Sequence, residues 1–228
     1  MKKRFKNWKG DDLFARKASA FDLDYTLVQI NSSFAFCKYL VAVKTLPVSA
    51  FFYAVLIFIR HRFFGLSLQE MHEKVFHRVL RGKDLGHLDA HGEIFCKTYL
   101  LKKVYAPAVA LLMEAKQAGH YTLLVSSSPS FLVRHVADFF HIDEWRATEY
   151  EVDSNNCLQR IRSLVDGNTK AEWIASLKAR QGIDRESITA YSDSYLDMPF
   201  LLSAGEAVAV NPDRKLKKIF KQKNWRVI

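Results

Sequence analysis

The stretch "AFDLDYT", residues 20–26, ends a short apolar run with two carboxylates, Asp22 and Asp24, two positions apart. A second acidic pair, Asp193 and Asp197, lies in "YSDSYLD" (191–197). Carboxylates gathered in one place cannot all stay ionised unless positive charge sits among them. A hard, oxygen-seeking cation such as Mg²⁺ meets that need. Lys170, at the start of a predicted helix, supplies a fixed positive charge as well. "SSSP", Ser126 to Pro129, adds hydroxyls and, with Pro129 expected at the first helical position, backbone N–H groups suited to phosphate. Carboxylates, Mg²⁺, a lysine and an N–H cradle together describe phosphoryl transfer.

These residues can act together only if the fold converges them. Residues 18–21 read as a buried parallel strand. Further strands are expected at 121–125, near 145–149, at 187–191 and at 207–210. Helices are expected between them: from Pro107 to Gln117, from Pro129 toward Phe140, and over 170–181, 195–203 and 214–221. Strands alternating with helices of this length imply βαβ units and a parallel sheet. Residues 33–104 read almost wholly as helix, with a capping box at Ser67 and Glu70 and a stop at Gly82. The expectation is an α/β, Rossmann-like core from 1–32 and 105–228, with an all-helical cap over 33–104. In an open parallel sheet the site lies at the carboxyl ends of the strands, where Asp22, Asp24, Ser126 and Asp193 fall.

Bulk properties narrow the classes. The 228 residues are 49% hydrophobic, so a globular chain with a sizeable core is expected. Net charge is +10, concentrated in Lys2, Lys3, Arg4, Lys6 and Lys9 and again from Arg214 to Arg226. Such charge favours acidic partners, and solvated faces are its plainer reading. Cys37, Cys96 and Cys157 are widely spaced with no C-x-x-C, which suits a reduced, cytoplasmic chain without disulfides or a zinc site. The basic N-terminus has no apolar stretch of the kind a secretion signal carries. G-x-S-x-G and the P-loop are both missing. Trp8 and Trp225 beside lysines are better read as packing than as a nucleic-acid face, and no nucleic-acid partner is expected. His87 and His91 could share a helix face, but with no third ligand they read as exposed helix residues.

In order and spacing, "DLDYT", "LLVSSSP", Lys170 and "YSDSYLDMP" resemble the four motifs of the haloacid dehalogenase superfamily of phosphatases. "GHYTLLVSSSPSFL" (119–132) and "AVAVNPDRKL" (207–216) are similar to the branch that includes phosphoserine phosphatase, whose helical cap follows the first motif. The resemblance covers about 17–32 and 105–228 and fades across the cap. It implies that Asp22 is a nucleophile that becomes an aspartyl-phosphate and that Asp24 is the general acid, then base. It further implies that Thr26 steadies the loop, that Ser126, beside Ser127, holds a phosphate oxygen, and that Lys170 neutralises nucleophile and phosphate. Mg²⁺ would be held by Asp22, Asp24 (through its carbonyl) and Asp193, with Asp197 supporting the metal. Asp24 sets the chain apart from the dehalogenases themselves, whose halide leaves without a proton. Departures are Tyr25 and Leu196, where smaller residues are usual, and the missing Gly-Gly after Ser126.

The substrate expected is a small phosphorylated metabolite or a lipid phosphate. Residues 46–59, "LPVSAFFYAVLIFI", carry no charge and are followed by Arg60, His61 and Arg62; 34–43 is nearly as apolar. Fourteen residues are too few to span a bilayer. Either these helices bury each other, or they face lipid as a peripheral membrane contact, in which case the chain would resemble a phosphatidylglycerophosphate phosphatase. A phosphate-binding scaffold is the non-enzyme alternative, which the intact Asp22, Asp24, Lys170 and Asp193 disfavour.

Overall fold

In a computed structural model, residues 16–228 are described, and the basic cluster at Lys2–Lys9 lies outside them. Strand β1, Ala18–Phe21, is apolar except for Ser19, and all four of its residues are buried. That pattern belongs to a strand covered on both faces. The chain then runs through helices α1 (Ser32–Ala42), α2 (Val48–Phe63), α3 (Leu68–Val75), α4 (Leu85–Thr98) and α5 (Ala106–Gln117) before returning as β2 (Tyr121–Pro129). After it come α6 (Ser130–Phe139), β3 (Glu144–Val152), β4 (Leu158–Ser163), α7 (Gly167–Ala175), α8 (Leu177–Gln181), β5 (Ile188–Ser192), α9 (Met198–Ser203), β6 (Glu206–Ala209) and α10 (Arg214–Lys223).

The strands form one sheet in the order β4-β3-β2-β1-β5-β6. β1 sits inside it, parallel to β2 and β5, with Phe21 level with both Leu124 and Tyr191. Strand order therefore reverses at β1, and this switch point opens a crevice at the carboxyl ends of β1, β2 and β5. Two apolar layers flank the sheet. One gathers Phe21, Phe36, Phe95, Leu112 and Phe131; the other gathers Ala20, Ile174, Phe200, Leu216 and Phe220. This is the α/β architecture expected from the alternating elements, with one addition. β4 is antiparallel to β3 and was not foreseen. Its sequence, LQRIRS, buries only Leu158 fully and carries exposed arginines, as an edge strand does.

Helix boundaries differ in instructive places. The capping box at Ser67 and Glu70 is present, but the helix it starts passes into a π-helical turn at Phe76–Leu80. The predicted helix over 170–181 is two helices, beginning earlier at Gly167 because Asp166 caps it through Thr169 N–H. The predicted helix from 195 opens with a 3₁₀ turn, Tyr195–Asp197. Pro129 is not the first residue of a helix: β2 continues through it, and α6 starts at Ser130. The three serines before it are thus extended backbone rather than a helix's first turn. Among the described residues no helix is long and apolar enough to cross a membrane.

Candidate active site

Asp22 follows the last residue of β1, and its N–H donates to the Tyr191 carbonyl at 2.9 Å. The chain then turns sharply: Leu27 and Val28 N–H both return to the Leu23 carbonyl, and Tyr25 takes a left-handed backbone (φ 59°). That turn leaves Asp22 and Asp24 on the crevice side by different routes. Lys170, one turn into α7, reaches across with Nζ 2.7 Å from Asp22 Oδ1 and 2.7 Å from Asp197 Oδ2. All three are buried, at 3% exposure for Lys170 and 6% for each aspartate. Ser192 Oγ donates to the same Asp197 Oδ2 at 2.6 Å. Asp193, half-buried at the end of β5, accepts from Thr26 Oγ1 at 3.3 Å, which ties the first motif to the last.

Asp24 belongs to a separate network. Its Oδ1 accepts from Ser32 N–H at 2.9 Å and its Oδ2 from Ser128 Oγ at 2.9 Å. Ser128 Oγ also lies 2.9 Å from the hydroxyls of Ser32 and Ser33, at the start of α1. Ser126 is 1% exposed, and its Oγ accepts from Ser128 N–H at 3.1 Å, so its own hydroxyl hydrogen can point elsewhere. Ser127 is half-buried, with its carbonyl bound by Thr148 Oγ1 at 2.7 Å.

The expected residues are therefore brought together, with corrections. The free N–H cradle expected at Ser126–Ser128 is partly used, because Ser128 N–H is taken by Ser126. The Asp24 carboxylate is turned to serines, which leaves its carbonyl, the atom expected at the metal, for that task. Asp197 Oδ2 is held by a lysine and a hydroxyl. Sequence reasoning missed Ser32, Ser128 and Ser192 as partners of the acidic groups. It also missed Asp213, which caps α10 and binds Tyr195 N–H at 2.8 Å while its own N–H donates to the Asp193 carbonyl. The run of hydroxyls at 126–128 was the available signal for Ser128; nothing local marks Ser32. His87 and His91 do meet, Nε2 to Nε2 at 3.1 Å, but beside Tyr39 and Thr45 rather than a third ligand.

Charge in the crevice is unbalanced. Burial pushes Asp22 up to about 7; Lys170 opposes the shift, and Asp197 and Asp24 add to it. Burial and then Asp22 push Asp193 up to about 8. Burial works against the Lys170 ammonium, yet Asp197 and Asp22 outweigh it and hold its value well above the ordinary one. Burial also raises Asp24, against the bonds from Ser32 and Ser128. So one ammonium serves Asp22 and Asp197, and among the described residues the Asp193 side chain is bound by the Thr26 hydroxyl alone. Among the described residues no three His, Cys, Asp or Glu side chains converge as a full metal cage. Two carboxylates in excess of their counter-charge nonetheless suit a hard divalent ion that keeps part of its water shell.

A family model for haloacid dehalogenase-like hydrolases matches residues 20–202. The chain belongs to that family. It is an enzyme, a hydrolase of the phosphatase kind, as the sequence motifs implied. Phosphoserine phosphatase SerB1 of Mycobacterium tuberculosis (strain ATCC 25618 / H37Rv) is 28% identical over 219 residues, spanning 92% of this chain and 70% of the relative. Histidinol-phosphatase of Neisseria meningitidis serogroup C (strain 8013) is 28% identical, spanning 93% of this chain and 98% of the relative. In fold, a protein of unknown function from Bordetella pertussis Tohama I superposes with a TM-score of 0.84 at 23% identity, covering 94% of this chain and 99% of that one. A phosphoserine phosphatase solved as a phospho-aspartyl intermediate analogue gives 0.66 at 18% identity, covering 90% and 91%.

Proposed function

We propose that the chain is a Mg²⁺-dependent phosphomonoesterase that works through an aspartyl-phosphate on Asp22. The observation that carries this reading is the division of labour between the two acids. Lys170 fixes Asp22 at 2.7 Å, whereas Asp24, two residues on, is held by Ser32 and Ser128. One acid is thereby oriented as a nucleophile beside a fixed cation, and the other, not bonded to that cation, is raised by burial against its two hydrogen-bond donors, which keeps a proton available on it.

In the first step an Asp22 oxygen attacks phosphorus. The bond to the ester oxygen breaks, and Asp24 gives that oxygen its proton. In the second step Asp24, now a carboxylate, takes a proton from water as the water oxygen attacks phosphorus. Inorganic phosphate leaves and Asp22 is restored. Ser128 can donate to Asp24 or accept from it, so its hydroxyl suits both states. Ser126 and Lys170 would bind phosphate oxygens. Asp22, Asp193 and the Asp24 carbonyl would hold Mg²⁺, which, when bound, supplies charge to offset that of the phosphoryl group. Asp197 would act through Lys170 rather than as a ligand.

The substrate class supported is a small phosphomonoester, in keeping with the names of the relatives above, phosphoserine and histidinol phosphate among them. We assign residues 1–32 and 105–228 to the catalytic core and 33–104 to a cap that selects the substrate. The test is phosphate release from a panel of phosphoserine, histidinol phosphate, sugar phosphates, nucleotides, lysophosphatidate and phosphatidylglycerophosphate, with Mg²⁺ or EDTA. Release with Mg²⁺ that EDTA and Asp22→Asn both abolish is the expected result. Release that survives Asp22→Asn removes the nucleophile assignment.

A further inference from the structure

Helix α2 packs the wrong way round for a helix that ends at the protein surface. The residues it buries are Ala50, Ala54 and Ile57, two of them small. The residues it exposes include Val48 (58% exposed), Phe52 (66%), Leu56 (54%), Ile59 (40%) and Phe63 (74%), and Phe64 (77%) follows at the turn. Spacings of four, four, three and four place these five on one stripe, and at ~100° per residue that stripe is diametrically opposite the buried face. Scattered exposed apolar residues need no explanation, but a contiguous stripe along a whole helix does. A helix of 16 residues carries it for about 24 Å.

The flanks of the stripe identify what would cover it. Arg60 lies to one side and Arg62 to the other, both exposed, and exposed Lys44 stands at the turn joining α1 to α2. α1 and α2 contain no acidic residue. The acids on neighbouring α3 are engaged locally, Glu70 with Ser67 and Glu73 with His77. A second copy docking symmetrically would bring the same face to both sides, and since α1 and α2 hold no acid it would offer Arg60 and Arg62 no carboxylate from these helices. An anionic lipid surface instead accepts the apolar stripe and pairs with the arginines. Since no described helix can cross a bilayer, the contact would lie in the interface plane. From this stripe and its charged margins we infer that α2 is a peripheral docking face for anionic membranes. The inference is independent of the chemistry assigned to Asp22.

The full chain is tested by co-sedimentation with vesicles of phosphatidylglycerol and of phosphatidylcholine. Binding to phosphatidylglycerol is expected to exceed binding to phosphatidylcholine by at least about tenfold and to weaken as salt shortens the screening length. The pair Phe52→Ser and Leu56→Ser should lower it by about tenfold or more. Arg60→Glu with Arg62→Glu should remove the lipid preference. Circular dichroism and turnover of a soluble phosphomonoester report whether each variant is folded, and the two pairs probe different chemistry should either fail that check. Absence of binding by the unsubstituted chain overturns the inference, as does equal binding to both lipids. A dimer in solution that Phe52→Ser and Leu56→Ser convert to monomer also overturns it, because a second copy then occupies the stripe.

Discussion

At the scale of single residues, the site depends on how two like charges are kept apart. Asp22 and Asp24 differ by their partners, one an ammonium, the other a backbone N–H and a hydroxyl. Asp24→Asn removes the proton donor and is expected to lower kcat by roughly 10²–10⁴-fold, with the least loss for substrates whose leaving group needs no proton. An equal loss for nitrophenyl and alkyl phosphates would count against the general-acid role. Ser128→Ala keeps the acid but frees one of its oxygens. Loss of one hydrogen bond to a charged group, worth about 1.5–3 kcal/mol, predicts a roughly tenfold to hundredfold fall in kcat with KM little changed. Ser128→Thr should recover part of it. Asp22, Asp24, Lys170 and Asp193 were readable from the sequence because their types and order repeat a known pattern. Ser32 and Ser192 were not, since a serine's use depends on which strand end lies beside it.

At the scale of elements, the lysine works because α7 comes very close to the loop before α9. A Cβ at Gly167 would collide with the Leu196 carbonyl oxygen, and that loop carries Asp197. Gly167→Ala must push the two apart, and overpacking of this kind costs about 1–3 kcal/mol. The expected outcome is a lower Tm together with a lower kcat, because Lys170 and Asp197 ride on the displaced segments. Full activity with a normal Tm would show that the close approach is not needed. β1, β2, β5 and β6 were legible because each contains a short apolar run between turn signals. β4 was not, because an edge strand with exposed arginines lacks that signature. The end of β2 was misread for a related reason: Pro129 fits a helix start and a strand end equally, and the hydrogen bonds of its neighbours decide.

At the scale of the whole molecule, a buried acidic crevice ties stability to pH and metal. Asp22 and Asp193 stand at about 7 and about 8 in the folded chain, against 3.8 as the ordinary value. Between those limits the folded chain binds more protons than the unfolded one. The stability these groups confer is thus full below about 4 and lost as pH rises through 7 to 8. In EDTA, Tm should therefore fall over that range, with a shallower fall for Asp193→Asn; an unchanged slope in that variant would contradict the assignment. Mg²⁺ should raise Tm most at the high end, where protons compete least for its ligands. The apolar helices α1 and α2 show what sequence could not decide. α1 buries Phe36 and Leu40, whereas α2, equally apolar, buries Ile57 but turns Phe52, Leu56 and Phe63 outward. The most direct test of the central claim is to quench turnover with acid and analyse the peptide spanning residues 18–28 by mass spectrometry. One added phosphoryl group on Asp22, present with Mg²⁺ and substrate and absent in Asp22→Asn, is the predicted result. Steady turnover with that peptide unmodified, and the phosphoryl group found on another residue, would contradict it.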